Sequence, residues 1–159
     1  MSQTTAPLEI GIARAGLIGD LGPKSVRSYL AEGAVPYGRV LVHGTDAERQ
    51  AKVLSNVADV FAGLSVHSHA IESKVDGLAA GYADKDAVST LASGSAWVEY
   101  KDGEQPLVGD GLPVYGVVAA GADQGKVSNV ITSNLAVPLK VLKADTANKL
   151  VLVTIETPS

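Results

Sequence analysis

The sequence predicts a mainly β protein, an antiparallel β-barrel or sandwich of short strands preceded by an extended N-terminal arm. Three observations carry that expectation. The composition is small-grained, rich in Ala, Val, Gly and Leu, with one Trp and one Phe among 159 residues. Val suits pleated, half-buried surfaces, and Gly marks turns and close backbone approaches. Turn signals recur at close spacing between short apolar runs. No stretch holds a helical apolar stripe for three turns, and many short strands of this kind close into barrels or sandwiches.

Residues 1–22 stand apart from the rest. Gly11, Gly16, Gly19 and Gly22 punctuate small apolar residues, with no sustained period of 2 or 3.6. Such a segment suits lying extended against something else, and it reads either as a frayed terminus or as a partner-binding arm. Residues 23–159 read as one compact β domain without repeats or linkers. Ser25–Tyr29 fits a strand or a single helical turn. Pro36-Tyr37-Gly38 is a turn before the strand Arg39–His43, and Gly44-Thr45-Asp46 is the next turn. Asp46–Lys52 is polar enough for a surface excursion. Ala58–Ala70 and Ala87–Leu91 carry apolar stretches of strand length. Trp97–Tyr100 is a strand meeting the turn Lys101-Asp102-Gly103. Pro113–Ala120 reads as a continuous apolar strand buried on both faces, ended by the polar turn Gly121–Gly125. Val137–Lys143 and Leu150–Glu156 read as a terminal hairpin. Trp97, the single large anchor, is expected in the core, with an interface position as the alternative.

A chain of this length makes one domain and can bury roughly 70% of its unfolded surface. The net charge of −4 is mild and scattered. No Lys/Arg run is present to track phosphates, so no nucleic-acid partner is expected. The absence of cysteine removes disulfides, thiolate metal sites and Cys nucleophiles together. Met1–Glu9 lacks a basic start followed by an apolar core, as a secretory leader would have. The longest apolar run, near Leu112–Ala122, holds Pro113 and Gly116 and is too short to span a bilayer. No membrane partner is expected, and the chain is expected to be made and kept in a cytoplasm-like compartment.

The chemistry-bearing residues fall short of a catalytic site. His67 and His69 share one face of a strand and could grip one metal, as the His-x-His of cupin barrels does. Glu72, however, lies an odd number of residues from both, and His43 precedes the pair where a later histidine is needed. No metal and no cofactor are expected. Gly121, Gly125 and Lys126 resemble a phosphate-binding loop, but three residues separate the glycines and Val127 replaces the hydroxyl residue. Ser93-Gly94-Ser95 lacks the frame that exposes a nucleophilic serine. Asp84, Asp86, Asp102, Glu104 and Asp110 sit in turn contexts where capping explains them. Asp84-Lys85-Asp86 supplies too few oxygens for Ca²⁺. The chain is therefore read as a non-enzyme.

Several segments in order resemble one known family. They are Leu21–Tyr29 running into Ala31–Val40, Val42-His43-Gly44-Thr45-Asp46, Gly63–Glu72, Gly94–Val98 and Val108–Tyr115. Together, from about Gly16 to Tyr115, they are similar to the structural cement, or capsid decoration, proteins of tailed bacteriophages. From Gly116 onward the likeness is only a pattern of strands. The resemblance implies a protein that is assembled in the host cytoplasm and binds the exterior of the icosahedral head, where it staples neighbouring major capsid protein subunits. It also implies a homotrimer at three-fold or quasi-three-fold positions. On such a surface Leu8, Ile10, Ile12, Leu17 and Ile18 would fill shallow grooves, and Arg14 would reach a capsid carboxylate. A second reading is a non-catalytic β-barrel module binding carbohydrate or peptide, against which the low aromatic content, 4%, argues for sugars.

Overall fold

The computed structural model describes residues 15–19, 24–67, 81–109 and 111–156. Among these residues all regular structure is strand: β1 Ser25–Ala31, β2 Val35–Pro36, β3 Val40–His43, β4 Gln50–Val53, β5 Phe61–Ser65, β6 Gly81–Tyr82 and β7 Ala87–Ser93. There follow β8 Ser95–Glu99, β9 Val114–Gly116, β10 Val127–Ser128, β11 Leu135–Val137, β12 Leu139–Asp145 and β13 Leu150–Ile155. Five of them close a barrel in the order β1-β4-β3-β5-β7. Two three-stranded sheets, β10-β9-β11 and β12-β13-β8, and the two-stranded ribbon β2-β6 complete the body. The barrel is antiparallel except where β1 meets β4, through Leu30↔Gln50 and Ala31↔Ala51.

Strand period 2 explains how so small a barrel buries so much. On β3, Val40 and Val42 enter one hydrophobic core while Leu41 between them enters another, and all three are fully buried. The first core collects β3, β5, β7 and β8 with β9 to β13, including Leu64, Leu91, Val98, Val114, Val141 and Val153. It joins the barrel wall to the outer sheets. The second gathers Tyr29, Ala31, Leu41, Ala51 and Val88 from the barrel strands, and Val35, Tyr37 and Tyr82 from around the ribbon. The Tyr82 hydroxyl donates to the Val66 carbonyl at 2.5 Å, which lets a buried phenol keep a partner.

Gly94 is the switch point between barrel and outer sheet. It separates β7 from β8 at φ +116°, a conformation open to glycine. Its carbonyl accepts from Ile155 N–H at 3.0 Å, tying the corner to β13. Ser93 and Ser95 thus belong to a strand-to-strand corner, with Ser95 buried.

The structure revises three local expectations. Asp46–Lys52 is only partly a surface excursion, because Gln50–Val53 pairs with both β3 and β1 and Ala51 is fully buried. Barrel closure recruits a polar segment of which Ala51 points inward. The expected strand Pro113–Ala120 shortens to Val114–Gly116, after which Val117 N–H bonds to the Lys126 carbonyl in a loop. Trp97 is outside both cores and half-buried. On β8 it shares its face with Ser95 and Glu99, while Ala96, Val98 and Tyr100 take the core side.

Candidate interaction surfaces

The expected arm contacts divide at Ala15. Leu8, Ile10, Ile12 and Arg14 lie outside the described residues. Residues 15–19 lie along the outer edge of β8 as an added strand. Gly16 N–H donates to the Trp97 carbonyl at 2.8 Å, Trp97 N–H to Leu17 at 2.9 Å and Gly19 N–H to Ser95 at 2.9 Å. Ile18 bridges Ala96 and packs against the first core, and Leu17 is half-buried. Gly16 makes this approach possible. Its φ is +81°, and a Cβ there would press on Tyr37 and the His67 amide.

His67 belongs to the same junction. Its backbone N–H donates to the Gly16 carbonyl at 2.8 Å, and its ring tilts against Tyr37 with centroids 5.1 Å apart. His43 lies on β3 with its ring edge-on to Tyr29, centroids 6.0 Å apart. His69 and Glu72 lie outside the described residues, among which no group of three or more His, Asp or Glu is placed to hold a metal ion.

The Gly121–Lys126 loop is the reverse of an anion cradle. Arg39, only 8% exposed, donates through Nη1 to the carbonyls of Ala122 at 3.0 Å and Gln124 at 2.8 Å. A phosphate loop turns amide N–H groups toward its ligand, whereas here the carbonyls converge on a guanidinium. Nη2 of Arg39 reaches Glu99 at 3.0 Å. Lys126 pairs with Asp123 at 2.9 Å, and that hydrogen bond, the largest influence, holds the Asp123 carboxyl below the usual range. This network ties β3, β8 and the loop together. Asp86 caps its own turn, accepting from Ala83 N–H at 2.8 Å, and Asp84 braces the turn between β1 and β2, accepting from Gly33 N–H at 2.9 Å. Glu32, whose pKa is lowered by its side-chain hydrogen bond from Thr45, fastens the next turn.

What the described surface offers instead is apolar side chains on hydrogen-bonded loops. Between β4 and β5, Asp59 accepts from the N–H groups of Ser55 and Asn56 at 3.0 and 2.9 Å, and Asn56 from Ala58 N–H at 2.9 Å. The loop so fixed displays Val57 and Val60, the latter 66% exposed. Leu107, Val108, Leu112, Val130 and Ile131 are displayed on two further loops. The sequence reading missed these residues. Their only signal was apolar side chains inside turn-rich stretches.

The arrangement defines a protein class: an all-β scaffold whose charged groups brace its own loops and whose exposed features suit contact with other macromolecules. The model of the family described as Structural cement protein (E217 gp24/Pam3 gp6) matches residues 2–156, and the chain belongs to that family. Membership implies a structural rather than catalytic role. Among solved structures, the chain is similar to one from "The capsid of Myoviridae Phage XM1", with TM-score 0.74 and 21% identity over 98% of each chain. No curated protein matches.

Proposed function

We propose that this protein is the cement of a tailed-phage head, bound to the exterior of the assembled capsid and stabilising contacts between major capsid protein subunits. The observation that carries the reading is the family match across residues 2–156. The likeness in fold to a chain from a phage capsid supports it. The reading places the protein in the virion, with assembly in the bacterial cytoplasm and a homotrimer as the binding unit.

In this reading residues 1–14 form the capsid-reaching arm, with Leu8, Ile10, Ile12 and Arg14 as its contacts. Leu17 and Ile18 anchor it, since residues 15–19 are stitched to β8. Several weak arms carried by one oligomer bind at high effective concentration, so modest contacts suffice to hold it on the head. Co-sedimentation of the purified protein with undecorated heads tests the proposal. Saturable binding and a raised thermal disruption temperature of the heads are expected. Failure to bind intact, undecorated heads of its own phage would sink it.

A further inference from the structure

Strand β1 reaches beyond the strand that closes the barrel on it. β4 pairs with β1 only through Leu30↔Gln50 and Ala31↔Ala51, whereas β7 pairs with it from Ser25 to Leu30. Ser25, Val26, Arg27 and Ser28 therefore overhang, with a neighbouring strand on one side only among the described residues, and all of them are exposed. Two hydrogen bonds fix which way the backbone points. Ala31 N–H donates to the Asp86 carbonyl at 2.8 Å, on the β7 side, and Leu30 N–H to the Arg49 carbonyl at 2.7 Å, on the β4 side. Backbone groups alternate between the two edges of a strand, so Arg27 and Tyr29 bond toward β7. Val26 and Ser28 turn their N–H and C=O groups to the open edge, where nothing among the described residues pairs with them. Val26 and Leu30, 44% and 47% exposed, share one face of the strand with Ser28 between them.

We infer that this edge takes up an extended, acid-bearing segment of the capsid subunit as an added strand. The edge selects the form of its occupant. N–H and C=O groups at strand spacing are matched by another extended backbone, and alternate side chains of the incoming strand find apolar footing on Val26 and Leu30. Charge selects its chemistry. Residues 24–28 hold Lys24 and Arg27 and no acidic residue, and neither cation forms an ion pair among the described residues. Pairing of the overhang with its own copy would set these cations against each other, and like charges on adjoining strands destabilise the pair. A carboxylate on the incoming strand is met by Arg27 instead. That the segment belongs to a capsid subunit rests on the cement reading. The strand form and the acidic character rest on the edge itself.

Hydrogen exchange of the full chain, free and bound to undecorated heads of its own phage, tests the inference, read residue by residue by mass spectrometry. In the free protein the amides of Val26 and Ser28 are expected to exchange at open-chain rates, with those of Arg27 and Tyr29 protected. On heads, Val26 and Ser28 should slow at least about tenfold. Co-sedimentation supplies the second arm. Arg27→Glu should keep the wild-type circular dichroism and melting temperature but bind heads about tenfold more weakly, while Arg27→Lys binds nearly as the wild type. Should Arg27→Glu unfold, Arg27→Gln replaces it, with a smaller loss in the same direction. Protection of Val26 and Ser28 already in the free protein overturns the inference, because the edge is then occupied. Unslowed amides in head-bound protein also overturn it, whatever the variants do, and leave the cement role standing. Slowed amides with undiminished binding by the folded charge variant overturn the acidic partner. A wild type that fails to bind heads refutes the cement reading, and the capsid strand falls with it.

Discussion

Arg39 shows how one residue converts a polar loop into part of the body. Its guanidinium is nearly buried and serves the carbonyls of Ala122 and Gln124 as well as Glu99. Arg39→Met keeps the aliphatic stem but strands two carbonyls and half of an ion pair. Glu99 retains Lys126 at 3.8 Å, which softens the loss. A destabilisation of roughly 2–3 kcal/mol is expected, read as a lower urea midpoint. An unchanged midpoint would mean that the loop does not depend on the clamp. Tyr82 gives a pH signature. Burial, the dominant influence, pushes its hydroxyl above the ordinary tyrosine value, with hydrogen bonding by Ser89 opposing. The folded state then holds its proton where the unfolded chain has begun to lose it. This contribution is intact below about pH 10 and declines above it, as the pH rises toward the folded pKa. Tyr82→Phe should be less stable by about 1 kcal/mol at neutral pH, from the lost bond to Val66, and should flatten the alkaline decline. Melts between pH 8 and 11 check both, and an equally steep decline in the variant would assign it to other groups.

At the scale of elements, the strand-like stretch 15–19 divides the N-terminal segment into two parts with different expected roles. Removing residues 2–14 should leave the melting temperature within about 2 °C while weakening head binding. Removing residues 2–19 strips the hydrogen bonds along β8 and the packing of Ile18 against the first core. Each bond contributes about 1 kcal/mol and the partly buried Ile18 about 1–2, so a fall of roughly 10 °C or more is expected. Thermal melts of the two truncations, paired with co-sedimentation, separate the roles. Equal stability of both would remove 15–19 from the body. Equal head binding by the first truncation and the full chain would make 1–14 a loose terminus. Gly63 tests the barrel seam. On β5 it has φ +154°, and a Cβ would collide with the Leu91 carbonyl of β7. Gly63→Ala should loosen the β5–β7 seam and lower stability by about 2 kcal/mol, measured by denaturant titration.

For the whole molecule, the two cores on opposite faces of β3 make a body that stands without disulfides or metal-bound staples among its described residues. A cement needs such a body, because contacts made on a capsid add to stability only if the subunit does not unfold to make them. The loops that display Val57, Val60, Val130 and Ile131 are braced by their own side chains. Little conformational entropy is then lost when a partner covers them. Elemental analysis should find no stoichiometric Zn, Fe or Mn in the purified protein. About one metal per chain would reopen the His67/His69 reading.

Class and punctuation were legible from the amino acids alone. Local chemistry sets turns at Pro36–Gly38, Lys101–Gly103 and Gly121–Gly125, and the hairpin of β12 and β13 needs only neighbouring residues. Even the outward position of Trp97 was present in the alternation Ser95-Ala-Trp97-Val-Glu99, though the size of the indole suggested the core. Partner choice was not legible. That β1 closes the barrel against β4 in parallel, that Gln50–Val53 is a strand, and that residues 15–19 bond along β8 are all long-range pairings. Backbone hydrogen bonds between distant strands carry no side-chain code. They are decided by which apolar faces can be buried together, and that is settled only when the whole chain packs. The same holds for the link between the loops that display Leu107 and Ile131. Each residue is ordinary in its own loop, and only the tertiary hydrogen bonds of Glu104 with Ser128 and Asn129 tie the two loops together.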